Sequence, residues 1–180
     1  MAFCTKQYLA FSLLLLTFST SAHAQIPLWL VEQGISLQFS IPQIDAGELK
    51  KALQSDRRSQ YIFFDTRLQE EFQTSHLPEA IQIDPEMEPE VFFKIYGHLL
   101  SDKEVIFYCS VGYRSSKFAE TVSPAAEKRG AKSVSNLKGG IFRWYNAGYA
   151  VVDKNGITDA IHPYNEEWGS LIELRHPNLK

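Results

Sequence analysis

Two short runs, Tyr61-Ile62-Phe63-Phe64 and Val105-Ile106-Phe107-Tyr108, are apolar at every position and end on Asp65 and Cys109. Successive side chains of a strand point to opposite faces, so such a run needs cover on both sides. That is the environment of a parallel sheet between layers of helices. Helical patterns alternate with the strands. Asp45-Ala46-Gly47-Glu48 reads as a capping box, with Leu49, Ala52 and Leu53 as the apolar face behind it. Leu68 to Gln73 predicts a short helix, Ile81 and Ile83 a strand, and Val91 to Leu100 a second helix. A further helix is expected from Ser116 to about Lys128, kinked or restarted at Pro124 and stopped at Gly130. Val134 to Leu137 predicts another strand. Gly139-Gly140 is a tight turn feeding a helix from Ile141 to Ala147. This order implies an α/β fold, with a mostly parallel central sheet flanked by helices on both faces. Sites in such sheets form at the carboxyl ends of strands, where Asp65 and Cys109 both fall.

The two ends of the chain read differently. Lys6 precedes an apolar run from Leu9 to Phe18, and Ser21-Ala22-His23-Ala24 supplies an Ala-x-Ala cleavage site. Residues 1–24 are therefore expected to be a secretory signal peptide cleaved after Ala24, with periplasmic or secreted localisation. An uncleaved anchor is the alternative, although the apolar run is about half of the roughly 20 residues a spanning helix needs. Cleavage leaves 156 residues with 17 basic against 21 acidic side chains, enough for one domain with a single core. No basic run suggests nucleic acid as a partner, and no later segment suggests a membrane span. Residues 25–40 form a lead-in in which Trp29 and several aliphatics are expected to pack on the domain. After Val152, Lys154-Asn155-Gly156 marks a turn, and Trp168, Leu171, Ile172 and Leu174 could cap the core with a final helix.

Cleavage also removes Cys4 and leaves Cys109 solitary, so no internal disulfide is available. A thiol at the mouth of a strand–loop–helix unit is well placed for reactivity. The thiolate is the nucleophile, and helix N-termini and nearby cations favour it. Backbone N–H groups from Ser110 to Ser115 would cradle negative charge, and Gly112 would let the chain fold around the sulfur without a Cβ clash. Arg114 has two readings: an anion-binding cation, or a strut pairing a carboxylate within the loop. Ser110, Val111, Tyr113 and Ser115 are expected at the pocket rim.

Four segments, taken in order, give the chain a resemblance. Tyr61 to Phe72 (YIFFDTRLQEEF) looks like the strand, Asp-x-Arg and Glu-Phe signature of the rhodanese homology domain. Ser75 to Ala80 (SHLPEA) is similar to that family's Gly-His-Ile-Pro-Gly-Ala turn, and Cys109 to Ser115 (CSVGYRS) to its active loop. Asn136 to Gly148 (NLKGGIFRWYNAG) resembles its Leu-x-Gly-Gly…Trp…Gly segment. The resemblance implies a rhodanese-like domain over residues 41–152, with 153–180 as an extension packing on it. Ser75 and Glu79 stand where the family has glycines, which would strain any positive φ there.

The resemblance also implies a sulfurtransferase. Cys109 would take sulfane sulfur from a donor, thiosulfate or a persulfide, and pass it to a thiol or other thiophilic acceptor. Four residues lie between Cys109 and Arg114. That loop length accompanies sulfur transfer in the family, whereas related phosphatases and arsenate reductases carry five and a wider cradle. The alternative is a non-catalytic or redox-sensing module that binds a partner protein. Asp65 and Arg67 are read as supporting rather than catalytic, with a buried Asp65 satisfying neighbouring backbone donors or pairing with an arginine, and His76 as a turn-fixing hydrogen-bonder. No cofactor is expected, and His98, His162 and His176 lack partners at metal-ligand spacing.

Overall fold

The computed structural model describes residues 26–173. The signal-peptide reading of residues 1–24, together with Leu174 and His176, lies outside them. Five parallel strands form the central sheet: β1 (Gln43–Ile44), β2 (Tyr61–Asp65), β3 (Ile81–Gln82), β4 (Glu104–Tyr108) and β5 (Ser133–Leu137), in the order β1-β5-β4-β2-β3. The fully apolar runs are the two inner strands β2 and β4, paired over their whole length with Asp65 beside Tyr108. Their side chains divide by parity. Tyr61, Phe63, Ile106 and Tyr108 enter one core with residues of α1 (Leu28–Gln38), α2 (Ala46–Leu53) and α6 (Gly140–Asn146). Phe64, Val105 and Phe107 enter the other with α4 (Pro89–Tyr96) and α5 (Tyr113–Lys128). Helices therefore cover both faces, as the uninterrupted apolar runs require. The short α3 (Gln69–Thr74) follows β2, and β6 (Val151–Asp153) and β7 (Gly156–Thr158) form an antiparallel hairpin around Asn155.

Several local expectations change. The lead-in is an eleven-residue helix, α1, held by buried Leu28 and Ile35 and by an ion pair from Arg143 Nε to Glu32 Oε1 at 2.6 Å. Trp29, expected to pack, is 57% exposed. α5 starts at Tyr113, three residues before the expected Ser116. Gly112, at φ +105°, turns the chain straight into the helix, and Ser116 N donates the first intrahelical bond to Gly112 O. α5 also runs unbroken through Pro124, which lies on its exposed side, where water can serve the carbonyl left unbonded four residues earlier. Of the two glycine-replacing positions, Ser75 is extended at φ −171° and unstrained, whereas Glu79 is left-handed at φ +65°. The final helix is a single turn, α7 (Glu166–Gly169), capped by Asn165. Trp168, Leu171 and Ile172 nevertheless pack on the core.

Candidate active site

Cys109 follows directly on β4 and is the free thiol among the described residues. Its Sγ accepts a hydrogen bond from Gly112 N at 3.2 Å. The loop carbonyls face the other way: Cys109 O and Ser110 O accept from Ile141 N at 2.9 Å and Phe142 N at 3.0 Å in the first turn of α6. Because each peptide is planar and trans, the N–H groups of Ser110 and Val111 point away from α6. At the start of α5, the N–H groups of Tyr113, Arg114 and Ser115 precede the first intrahelical bond. The side of the loop facing away from α6 is thus cleared of these two carbonyl acceptors and carries the N–H donors.

Two glycines make that arrangement possible. Gly140, at φ +57°, lies so close to the loop that a Cβ would sit 2.3 Å from Cys109 O and 2.6 Å from Ser110 O. Both are backbone atoms, so a side chain can be accommodated only by moving the loop. Gly140→Ala is expected to lower the unfolding free energy by about 2 kcal/mol or more, from steric displacement and left-handed strain together. Urea unfolding measures the loss. The crowding at Gly112 is not around the sulfur: a Cβ there would meet Asn136 Nδ2 at 2.9 Å. Asn136 Oδ1 in turn accepts from Ser115 Oγ at 2.6 Å, and its Nδ2 donates to Gln43 Oε1 at 2.7 Å. Ser115 is fully buried in this network, tying α5 to β5 and β1, and is not at the rim.

Arg114 has the geometry of a strut, but its carboxylate comes from outside the loop. Nη1 and Nη2 donate to the two oxygens of Glu71, on α3, at 2.9 Å each, and Nη2 also reaches Ser110 Oγ at 3.0 Å. Ser110 Oγ donates to Glu71 Oε1 at 2.8 Å, and Leu68 N donates to Glu71 Oε2 at 3.0 Å. Burial opposes the charge on Arg114, yet Glu71 and neighbouring Cys109 raise its pKa above the ordinary value. Burial likewise pushes the Glu71 carboxyl up, and the bonds from Arg114, Leu68 and Ser110 outweigh it and hold the pKa below the ordinary glutamate value. A depressed carboxylate contributes stability that is present above its unfolded pKa and is lost as pH falls through the folded one. The protein should therefore lose more stability between about pH 5 and pH 3 than Glu71→Gln does, as read by unfolding at a series of pH values.

The remaining expected residues divide between the site and its foundations. Ser110, Val111, Tyr113 and Arg114 border a cavity of about 400 Å³ at Cys109. Asp65 and Arg67 lie beneath, both side chains fully buried, joined by Nε–Oδ1 at 2.9 Å and Nη2–Oδ2 at 2.7 Å. His76 stacks on Phe72 with its Nδ1 3.0 Å from Phe72 O, and its backbone pairs with Val152. It fixes the turn and does not reach the cavity. Sequence reasoning missed Glu71 as a partner of Arg114, although it is the glutamate of the Glu-Phe pair. It also missed Val31 and Ile35 from α1 and Tyr164 and Trp168 from the tail, which form the cavity's far walls.

Residues 45–147, more than half of the chain, match the family described as rhodanese-like domain. The chain belongs to this family. No curated protein matches the sequence. Among solved structures, the fold is similar to the BH2092 protein of Bacillus halodurans, at 21% identity and TM-score 0.54, covering 79% of this chain and 97% of that one. It is similar to an As-Sb reductase from Leishmania major, at 23% identity and TM-score 0.53, covering 60% and 79%. It is also similar to a thiosulfate sulfurtransferase from Pseudomonas aeruginosa, at 21% identity and TM-score 0.52, covering 82% of this chain and 26% of that one. At these identities the likeness is one of fold. Within the rhodanese-like chain, the matched segment holds the cysteine loop, Glu71 and both glycine turns. The cavity walls from α1 and from Tyr164 and Trp168 lie outside it.

Proposed function

We propose that the protein is an extracytoplasmic sulfurtransferase that carries sulfane sulfur on Cys109. The orientation of the Cys109–Ser110 peptides is the observation that supports this most. With both carbonyls bonded to α6, neither is free to face the sulfur, which accepts from Gly112 N. That is the environment a thiolate or persulfide needs, and the sixteen-residue α5 adds its positive end.

In the first step the Cys109 thiolate attacks the outer sulfur of a donor such as thiosulfate or a persulfide. A Cys109–S bond forms, and the donor's S–S bond breaks. The leaving group, sulfite or a thiolate, departs with the electron pair. In the second step a thiolate or other thiophilic acceptor attacks the outer sulfur, and Cys109 is released as thiolate. The two half-reactions balance without an oxidant, and no group on the chain need act as general base once the thiol is ionised. Arg114, held by Glu71, positions the loop rather than binding the donor's charge. The extracytoplasmic setting rests on the signal features of residues 1–24.

Incubating the purified protein with thiosulfate and with a low-molecular-weight persulfide should add one sulfur to its mass, located at Cys109. If neither donor changes the mass while Cys109 still alkylates freely, the sulfurtransferase reading fails.

A further inference from the structure

Apart from Arg114, the cavity at Cys109 is walled by side chains that carry no charge. Val31 and Ile35 come from α1, Val111 and Tyr113 from the loop and the start of α5, and Tyr164 and Trp168 from the tail. The one cation among the described lining residues is Arg114, and it is already committed. Both terminal nitrogens bond Glu71, whose side chain is fully buried, and the Tyr164 ring covers the guanidinium at 4.9 Å. Tyr164 holds that place in a left-handed backbone at φ +67°, with its N–H bonded to His162 Nδ1 at 3.0 Å. A non-glycine residue adopts that conformation at a cost, which a specific setting must offset. α1 is likewise fixed, through the Arg143–Glu32 ion pair.

A small dianion such as thiosulfate would leave water for this cavity with no free cation to meet its second charge. An apolar group would gain by burial against the same walls. At about 400 Å³ the space falls within the range of small-molecule sites. Building on the sulfurtransferase reading above, we infer that the preferred donor is an organic sulfane compound whose sulfur is attached to an uncharged aromatic or branched aliphatic group. The reacting end lies against the N–H groups of the loop, and the apolar end lies between α1 and Trp168. For a thiosulfonate the Cys109 thiolate attacks the outer sulfur, the Cys109–S bond forms, the S–SO₂ bond breaks and the sulfinate leaves with the electron pair. A thiosulfonate carries one negative charge, at its reacting end.

The test compares initial rates of Cys109 persulfide formation, read by mass, from benzenethiosulfonate, methanethiosulfonate and thiosulfate. Each rate is divided by that donor's rate with a free thiolate in solution, which removes intrinsic reactivity. The benzene compound should lead the methane compound by about tenfold or more, since even one methylene in an apolar pocket is worth that order. Thiosulfate should do no better than the methane compound. In Trp168→Ala the benzene-to-methane ratio should fall toward one. In Val31→Lys, which adds a cation at the half-buried α1 wall of the cavity, thiosulfate should gain about tenfold relative to the benzene compound, an order common for a new charge pair. Equal normalised rates, or thiosulfate first, would overturn the inference and leave the sulfurtransferase reading standing. No mass gain from any donor, with Cys109 still alkylated, removes both.

Discussion

Replacing Cys109 with serine should abolish sulfur transfer and leave the fold in place. The residue is 1% exposed, and its sulfur accepts a hydrogen bond from Gly112 N, which a serine oxygen can also accept. The smaller oxygen leaves the neighbouring bonds from Ile141 N and Phe142 N untouched, because these go to main-chain carbonyls. A stability change within about 1 kcal/mol is therefore expected. Chemistry is another matter. A serine hydroxyl is a far weaker nucleophile than a thiolate and cannot carry a persulfide, so the covalent intermediate is lost. Removing a nucleophile of this kind typically lowers turnover by about 10⁵-fold or more. Persulfide mass and donor-to-acceptor transfer should both fall below detection, with the urea midpoint nearly unchanged. The same variant separates the enzyme from a partner-binding module: residual transfer near the original rate would place the reaction elsewhere than on Cys109.

How much of this was legible beforehand depends on how local each determinant is. The inner strands could be read because Ile62, Phe64, Val105 and Phe107 must be apolar for one core while Tyr61, Phe63, Ile106 and Tyr108 serve the other. The start of α5 could not be placed by pattern, since Gly112 begins the helix through its left-handed φ and not through a capping side chain. α1 escaped for a related reason. It starts after Pro27 without a side-chain cap, and Trp29, Leu30 and Leu37 are exposed, so its apolar residues do not mark one face. Arg114 was recognised as a strut or an anion binder, but choosing required Glu71, 43 residues away. The cavity walls were the least accessible to sequence reading. Val31 and Tyr164 meet at Cys109 only because the fold brings α1 and the tail, far apart in sequence, to the same cavity. At Glu79 the mismatch between residue and turn was readable, and the left-handed φ of +65° is its physical consequence.

Asp65→Ala should be among the most destabilising single changes, lowering the unfolding free energy by about 3–5 kcal/mol. The carboxylate holds Arg67 Nε at 2.9 Å and Nη2 at 2.7 Å, and Arg67 N at 3.0 Å, with both side chains wholly out of water. Burial opposes the charge on Arg67, and Asp65 is the first group that holds its pKa above the ordinary value. Removing the carboxylate leaves a guanidinium bonded only to Ser75 O through Nη2, above the Tyr108 ring. Tyr108 immediately precedes Cys109, and its hydroxyl accepts from Leu77 N at 3.1 Å, so the defect lies directly under the candidate active loop. The double variant Asp65→Ala/Arg67→Met removes the stranded charge as well, and should recover to within about 1–2 kcal/mol of the original protein. Urea midpoints at constant m measure both variants. That non-additivity identifies the cost as an uncompensated charge, because simple loss of packing would make the double variant worse than the single. A single-variant loss below about 1 kcal/mol would mean that Arg67 is served through Nη1, its one terminal nitrogen without a partner among the described residues.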